Sequence, residues 1–269
     1  MNCQLLRVLT GVLALAVVPQ GFAQPISAGP AQLSPEAQAR LDESNRVMQL
    51  ARDLFKKGEY ETVLETLDPL MGIDRFLSTD RLYGDCLIRL GRVSQSIPIL
   101  ATYARGSSSP NTRATLYGYA LAVCGDLPQA RKVWDWYVAN TWGKDKEDFI
   151  DWPGTKTQSD LIARFALATA VDFSYGDEDL GRAFYLEKAI KSAPRSAIVH
   201  LKYASFNTFP ESLDPKYYRE RMRHAELAKQ YATTEKVEEE AQRVWSYLAG
   251  TAYRLEDAER TRKRLAGGG

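Results

Sequence analysis

The chain has 269 residues, 45% of them hydrophobic, with 35 basic side chains against 34 acidic ones. That composition can bury a sizeable core, and its balanced charge excludes the clustered positive surface that grips nucleic acid. Only two histidines are present, and with no His and Cys cluster at zinc spacing and no Gly-rich phosphate loop, neither a metal site nor a cofactor is expected.

Residues 1–23 read as an export signal. Arg7 precedes an apolar run from Val8 to Val18, and Pro19, Gly21 and Ala23 follow it, so cleavage is expected after Ala23. A bilayer-spanning helix needs roughly 20 apolar residues, more than this run supplies. The expectation is therefore a periplasmic or secreted protein with no integral membrane span after cleavage. Cys3 lies ahead of the apolar run and cannot serve as a lipid-bearing residue at the cleavage point. Residues 24–33, with two prolines, a glycine and no helical period, read as a flexible leader.

Helix begins after the leader. Ser34 is placed to cap it, Pro35 suits the first helical position and Glu36 the first turn. Leu41, Val47, Met48, Leu50, Ala51, Leu54 and Phe55 then form a stripe at helical spacing up to Gly58. A second helix from about Glu61 carries Val63, Leu64 and Leu67 and ends before Asp68-Pro69. The phrase Leu50, Ala51, Leu54, Gly58, Tyr60 recurs as Tyr83, Gly84, Leu87, Gly91, Val93 and as Tyr117, Gly118, Leu121, Gly125, Leu127. The turn glycines are thus 33 and 34 residues apart, and a fixed period of that length predicts stacked helix pairs.

These units resemble tetratricopeptide repeats. Ala51, Gly84 and Gly118 stand where that family places small first-helix residues, and Val63, Ser96 and Ala130 match its second-helix position. The resemblance implies an all-α fold, a right-handed superhelical α-α solenoid with a C-terminal capping helix, over residues 34–266. Three units, 44–77, 77–110 and 111–144, fit well. A fourth runs through Leu161–Ser174, a turn at Tyr175-Gly176 and a helix from Ala183 to Ile190. A fifth starts near Ala197, with Tyr203 and Ala204 at its crossing positions, and resumes at Asp214-Pro215. The segment from Glu235 to Leu265 reads as the cap, charged on its outer face through Glu238, Glu239, Arg243, Arg254 and Glu256, and residues 267–269 as a disordered tail. Two departures stand out. Pro98 falls inside a second helix and should bend or delay it. Residues 145–160 form an insertion with Phe149 and Trp152, preceded by Trp142, that reads either as a functional element or as a cover over an irregular joint.

The family's pattern implies a groove lined by first helices: Arg52, Phe55 and Lys56 from the first unit, Arg81, Asp85, Ile88 and Arg89 from the second, and Tyr119 from the third. Cations mixed with apolar side chains suit a protein or peptide partner that is partly acidic with apolar anchors. Cys86 and Cys124, the cysteines left after cleavage, form one disulfide or stay as two thiols. His200 is expected in the core and His224 in solvent. Asp145, Glu147, Asp148 and Asp151 alternate with lysines in a wet loop, a poor setting for a catalytic acid of raised pKa, so no enzyme is expected. The leading reading is an exported adaptor within a bacterial cell-envelope assembly such as a secretion, pilus or polysaccharide apparatus. The alternatives are an enzyme acting on envelope polymers with residues 145–160 as its lid, and a self-assembling structural protein. The oligomeric state and the partner's identity are not legible.

Overall fold

A computed structural model of the chain describes residues 34–71, 77–105, 112–140, 157–172, 179–206 and 214–266. Residues 1–33 and 267–269, read above as export signal, leader and tail, lie outside them, as do Trp142, Phe149 and Trp152. Among the described residues every regular element is helical: α1 Pro35–Lys56, α2 Tyr60–Leu67 with a short 3-10 turn Asp68–Leu70, α3 Leu77–Arg89, α4 Val93–Arg105, α5 Thr112–Val123, α6 Leu127–Asn140, α7 Gln158–Asp172, α8 Asp179–Ser192, α9 Ala197–Ser205, α10 Pro215–Tyr231 and α11 Glu235–Ala266. The chain divides into two compact units, Met1–Leu41 and Asp42–Gly269. In the first, Ser34 Oγ accepts the Ala37 N–H at 3.2 Å, the expected cap of α1.

Among its described residues the second unit is an all-α stack of helix pairs packed in series. Its regularity comes from the turns. Glu59 N–H donates to Leu54 O and Gly58 N–H to Phe55 O; Arg92 and Gly91 make the same two bonds to Leu87 and Ile88, and Asp126 and Gly125 to Leu121 and Ala122. This is the Schellman closure of a helix, which needs a left-handed residue. Gly58, Gly91 and Gly125 supply it with φ of 79°, 76° and 85°, a region costly for side-chain-bearing residues. The 33–34 residue period is therefore a repeated backbone device.

Between turns, apolar stripes pair the helices. Met48, Ala51 and Phe55 of α1 meet Val63, Leu64 and Leu67 of α2 and Leu82, Cys86 and Leu87 of α3 in one core. A larger core runs from Ile88 through α4, α5, α6, α7 and α8 to Val199. The later helices follow in series, α7 on α8, α9 on α10 and α10 on α11, with α5 also against α7. The small positions lie where helices approach: Ala51, Val63, Ser96 and Ala130 have no exposed surface. A Cβ on Gly84 would fall 2.6 Å from Leu100 Cδ2, and one on Gly118 would fall 2.1 Å from Phe165 Cε1.

Two boundaries differ from expectation. Pro98 neither delays nor breaks α4, which starts at Val93 directly after the turn and runs to Arg105. The N–H that proline lacks would have bonded the Ser94 carbonyl, and both residues are exposed, so the missing bond falls on the solvent side of the helix. The fourth-unit second helix begins at Asp179, four residues before the Ala183 read from sequence. The last segment, read as a capping hairpin or helix, is one continuous helix of 32 residues.

Candidate functional site

The residues expected to line an open groove fall into two groups. Arg52 and Lys56 are exposed on α1, and Arg81 is half-buried on α3. Phe55, Asp85, Ile88 and Tyr119 are buried, none more than 4% exposed, and the Arg89 side chain is 4% exposed. Those five do not present a solvent-facing surface. The reason is α8: its Phe184 and Tyr185 lie against the face of the first helices and close it.

The closure is built around one guanidinium. Arg89 Nε donates to Asp85 Oδ1 at 3.2 Å, one helical turn earlier, and Nη1 donates to the Tyr60 hydroxyl at 3.0 Å. Its planar head lies 4.6 Å from the Phe55 ring centre and 4.4 Å from that of Phe184, a cation held between two aromatic rings. Tyr185, with no exposed surface, donates its hydroxyl to Asp85 Oδ1 at 2.6 Å, and Tyr119 meets the Tyr185 ring edge-on at 5.4 Å. Burial works against the Arg89 charge, but Asp85, Tyr185 and Tyr60 outweigh it and hold its pKa above the ordinary value. Burial, with Asp85 second, pushes the Tyr185 hydroxyl well above its usual range, and burial likewise raises Tyr119 to about 12. Both phenols are therefore hydrogen-bond donors at any physiological pH. The cluster has the aromatic and charged make-up of a ligand-gripping site, and the guest it grips belongs to the same chain.

The sequence held one signal of this. Phe184 and Tyr185 are adjacent, about 100° apart on a helix, so a single stripe against α7 cannot account for both. What they touch could not be read, because Asp85 is 100 residues away.

A second polar cluster joins α9 to α10. His200 Nε2 lies 2.9 Å from the Pro194 carbonyl and its Nδ1 lies 2.8 Å from His224 Nδ1. A carbonyl only accepts, so His200 carries its proton on Nε2, and His224 donates from Nδ1. His200 is buried, as expected, with 2% exposure. His224 is not the solvated side chain its charged neighbours suggested: it is half-buried and its ring lies 4.0 Å from that of Tyr203. Burial lowers the pKa of both rings, and for His224 the neighbouring His200 and Arg223 add to the effect, taking it to about 4. A histidine whose folded pKa is depressed takes up protons on unfolding, so its contribution is complete above about 6.5 and is lost as pH falls toward 4. Melting temperature should accordingly fall between pH 6.5 and 4, and the fall should be shallower in His224→Gln; equal slopes would remove the pair from that role.

Cys86 and Cys124 are both free, Cys86 buried and Cys124 exposed, so the disulfide is not formed. Burial foremost, then Asp85, raises the Cys86 thiol above its usual range. Among the described residues no three His, Cys, Asp or Glu side chains are grouped to hold a metal ion, and no helix is long and apolar enough to cross a membrane. A concavity of about 390 Å³ opens between the start of α9, the end of α10 and the start of α11. Ile198, Leu201 and Val237 line it, with Arg195, Lys202 and Lys236 set against Asp160 and Glu240.

No family model matches the chain, and no curated protein matches it. Among solved structures it is similar to MamA 41-end from Desulfovibrio magneticus RS-1, at 12% identity and a TM-score of 0.36, covering 82% of this chain and 97% of that one. It is similar also to the MamA RS-1 ArsTM double mutant, at 12% identity and a TM-score of 0.35, covering 82% and 98%. At such values no binding partner or activity transfers from them.

Proposed function

We propose that this protein is an exported, non-catalytic adaptor that holds a partly acidic peptide or protein segment within a cell-envelope assembly. The observation that carries the reading is the run of helix pairs closed by three identical glycine turns, an architecture that multiplies surface for partners and leaves chemistry to others. The signal-like residues 1–23 support the location. The accessible part of the first-helix face is cationic: Arg52 and Lys56 are one turn apart on α1 and both exposed, so they offer a bidentate and a point charge to a carboxylate-bearing segment. Phe55 and Arg89 act beneath them by fixing the face on which those cations stand.

Crosslinking in intact cells, followed by mass spectrometry, identifies the captured segment. The Arg52→Glu, Lys56→Glu double variant should weaken its capture about tenfold or more, since two charge-assisted contacts of roughly 1 kcal/mol each become repulsive. Helical content and melting temperature should not change, because both side chains point to solvent. Undiminished capture by the variant removes the α1 face from the proposal. Finding the protein inside the cytoplasm, with residues 1–23 retained, removes the export reading.

A further inference from the structure

Helix α11 outruns its neighbour. Its 32 residues span about 48 Å where the 17 of α10 span about 26 Å. One stripe of it, Ala241, Leu248 and Ala252 with Val244, Trp245 and Leu255 beside them, packs on α9 and α10. The opposite stripe carries features that solvent does not call for. Tyr247 and Tyr253 are 68% and 66% exposed, three residues before and three after Gly250. Nothing lies within 4 Å of where a Cβ on Gly250 would stand, and glycine in mid-helix costs about 1 kcal/mol relative to alanine. Gly250 is also at the centre of the helix.

The charges on that stripe reverse about the same point. Arg243 lies seven residues before Gly250 and Asp257 seven after, both within about 20° of the glycine's direction on a wheel of 100° per residue. The helix as a whole is acidic at its start, with Glu235 and Glu238 in the first turn and Glu239 and Glu240 after them against the single Lys236, and basic at its end, with Lys263 and Arg264 in the last turn. A second α11 laid antiparallel across the first, with a two-fold axis at Gly250, sets Arg243 against Asp257 of the second copy and Glu235 against Arg264 of the second copy. It also sets the Tyr247 ring against the Arg254 guanidinium of the second copy. Each contact occurs twice, as an isologous interface requires. A parallel pairing would stack the acidic ends together and the basic ends together, so the charge pattern selects the antiparallel one. Gly250 then allows the two backbones to approach where the helices cross.

We infer that the protein forms a two-fold homodimer through antiparallel contact of its α11 helices, crossing at Gly250. The interface is separate from the α1 face, so it stands or falls independently of the adaptor reading.

Sedimentation velocity of the purified protein from about 1 µM to 1 mM should show a species of twice the monomer mass. Arg243→Asp and Asp257→Arg, each of which places like charges across the axis, should each weaken the dimer tenfold or more. The double variant Arg243→Asp, Asp257→Arg restores opposite charges and should dimerise as the parent does, with helical content the same in all four proteins. In a Cys124→Ser background, Gly250→Cys should crosslink to itself as a disulfide dimer under mild oxidation. A strictly monomeric parent overturns the inference. A dimer indifferent to the single reversals, or one the double variant fails to restore, overturns it equally.

Discussion

Arg89→Ala is expected to lower the melting temperature by roughly 6–20 °C. The substitution leaves Asp85, 2% exposed, buried without its cation. Breaking a buried pair from one side costs about 3–5 kcal/mol, because the remaining charge keeps its desolvation penalty and loses its compensation. For a chain of this size each 1 kcal/mol moves the transition by roughly 2–4 °C. Arg89→Lys should recover little, since an ammonium can neither stack between Phe55 and Phe184 nor reach Asp85 and Tyr60 together. The double replacement Arg89→Met, Asp85→Asn should cost less than Arg89→Ala alone, because no unpaired charge is left inside. Differential scanning calorimetry decides it: a shift within 1 °C for Arg89→Ala would show that Asp85 does not depend on the guanidinium for its compensation.

Gly118→Ala should destabilise the protein, although alanine is favoured over glycine in a helix by about 1 kcal/mol. The added methyl would sit 2.1 and 2.2 Å from Phe165 Cε1 and Cζ. That ring is fully buried and meets Trp134 edge-on at 5.2 Å, so it has nowhere to turn, and overpacking of this kind costs about 1–3 kcal/mol or more. Gly84→Ala makes a contrast. Its methyl meets Leu100 Cδ2 at 2.6 Å and Cγ at 2.8 Å, and an aliphatic side chain can shift where a wedged ring cannot. Urea unfolding should therefore rank the parent above Gly84→Ala and Gly84→Ala above Gly118→Ala. Trimming the obstacle in Gly118→Ala, Phe165→Leu should recover part of the loss. A stabilised Gly118→Ala would mean that α5 and α7 do not approach as closely as the geometry requires.

What was legible in the sequence was what is local. Gly58, Gly91 and Gly125 announce their left-handed turns because only glycine adopts them cheaply, and Ala51, Gly84 and Gly118 announce close crossings because larger side chains do not fit. The face of each first helix that turns away from its own partner could be read as well, and Arg52 and Lys56 are exposed on it. What fills that side could not be read, since spacing within a unit says nothing of a helix that returns from a later one. Phe55, Asp85, Ile88, Arg89 and Tyr119 were thus assigned to an open groove, and Phe184 and Tyr185 to an ordinary second helix. His224 was misjudged for a related reason: Arg223 and Glu226 describe the side of α10 that faces water, whereas His224 belongs to the side that meets α9. The spacing of Cys86 and Cys124 gave no geometry, and one thiol proved interior and the other superficial.

The hydrogen bond from Tyr185 to Asp85 bears on how the chain reaches its native state. In an array whose units touch only their neighbours, folding can start anywhere and spread, and ends can fray one unit at a time. A bond spanning 100 residues ties an early pair to a late one, so fraying at either end is opposed by the other and unfolding becomes more concerted. Asp85 precedes Tyr185 by 100 residues, so a chain that emerges N-terminus first from any channel presents the charged pair before the rings that enclose it.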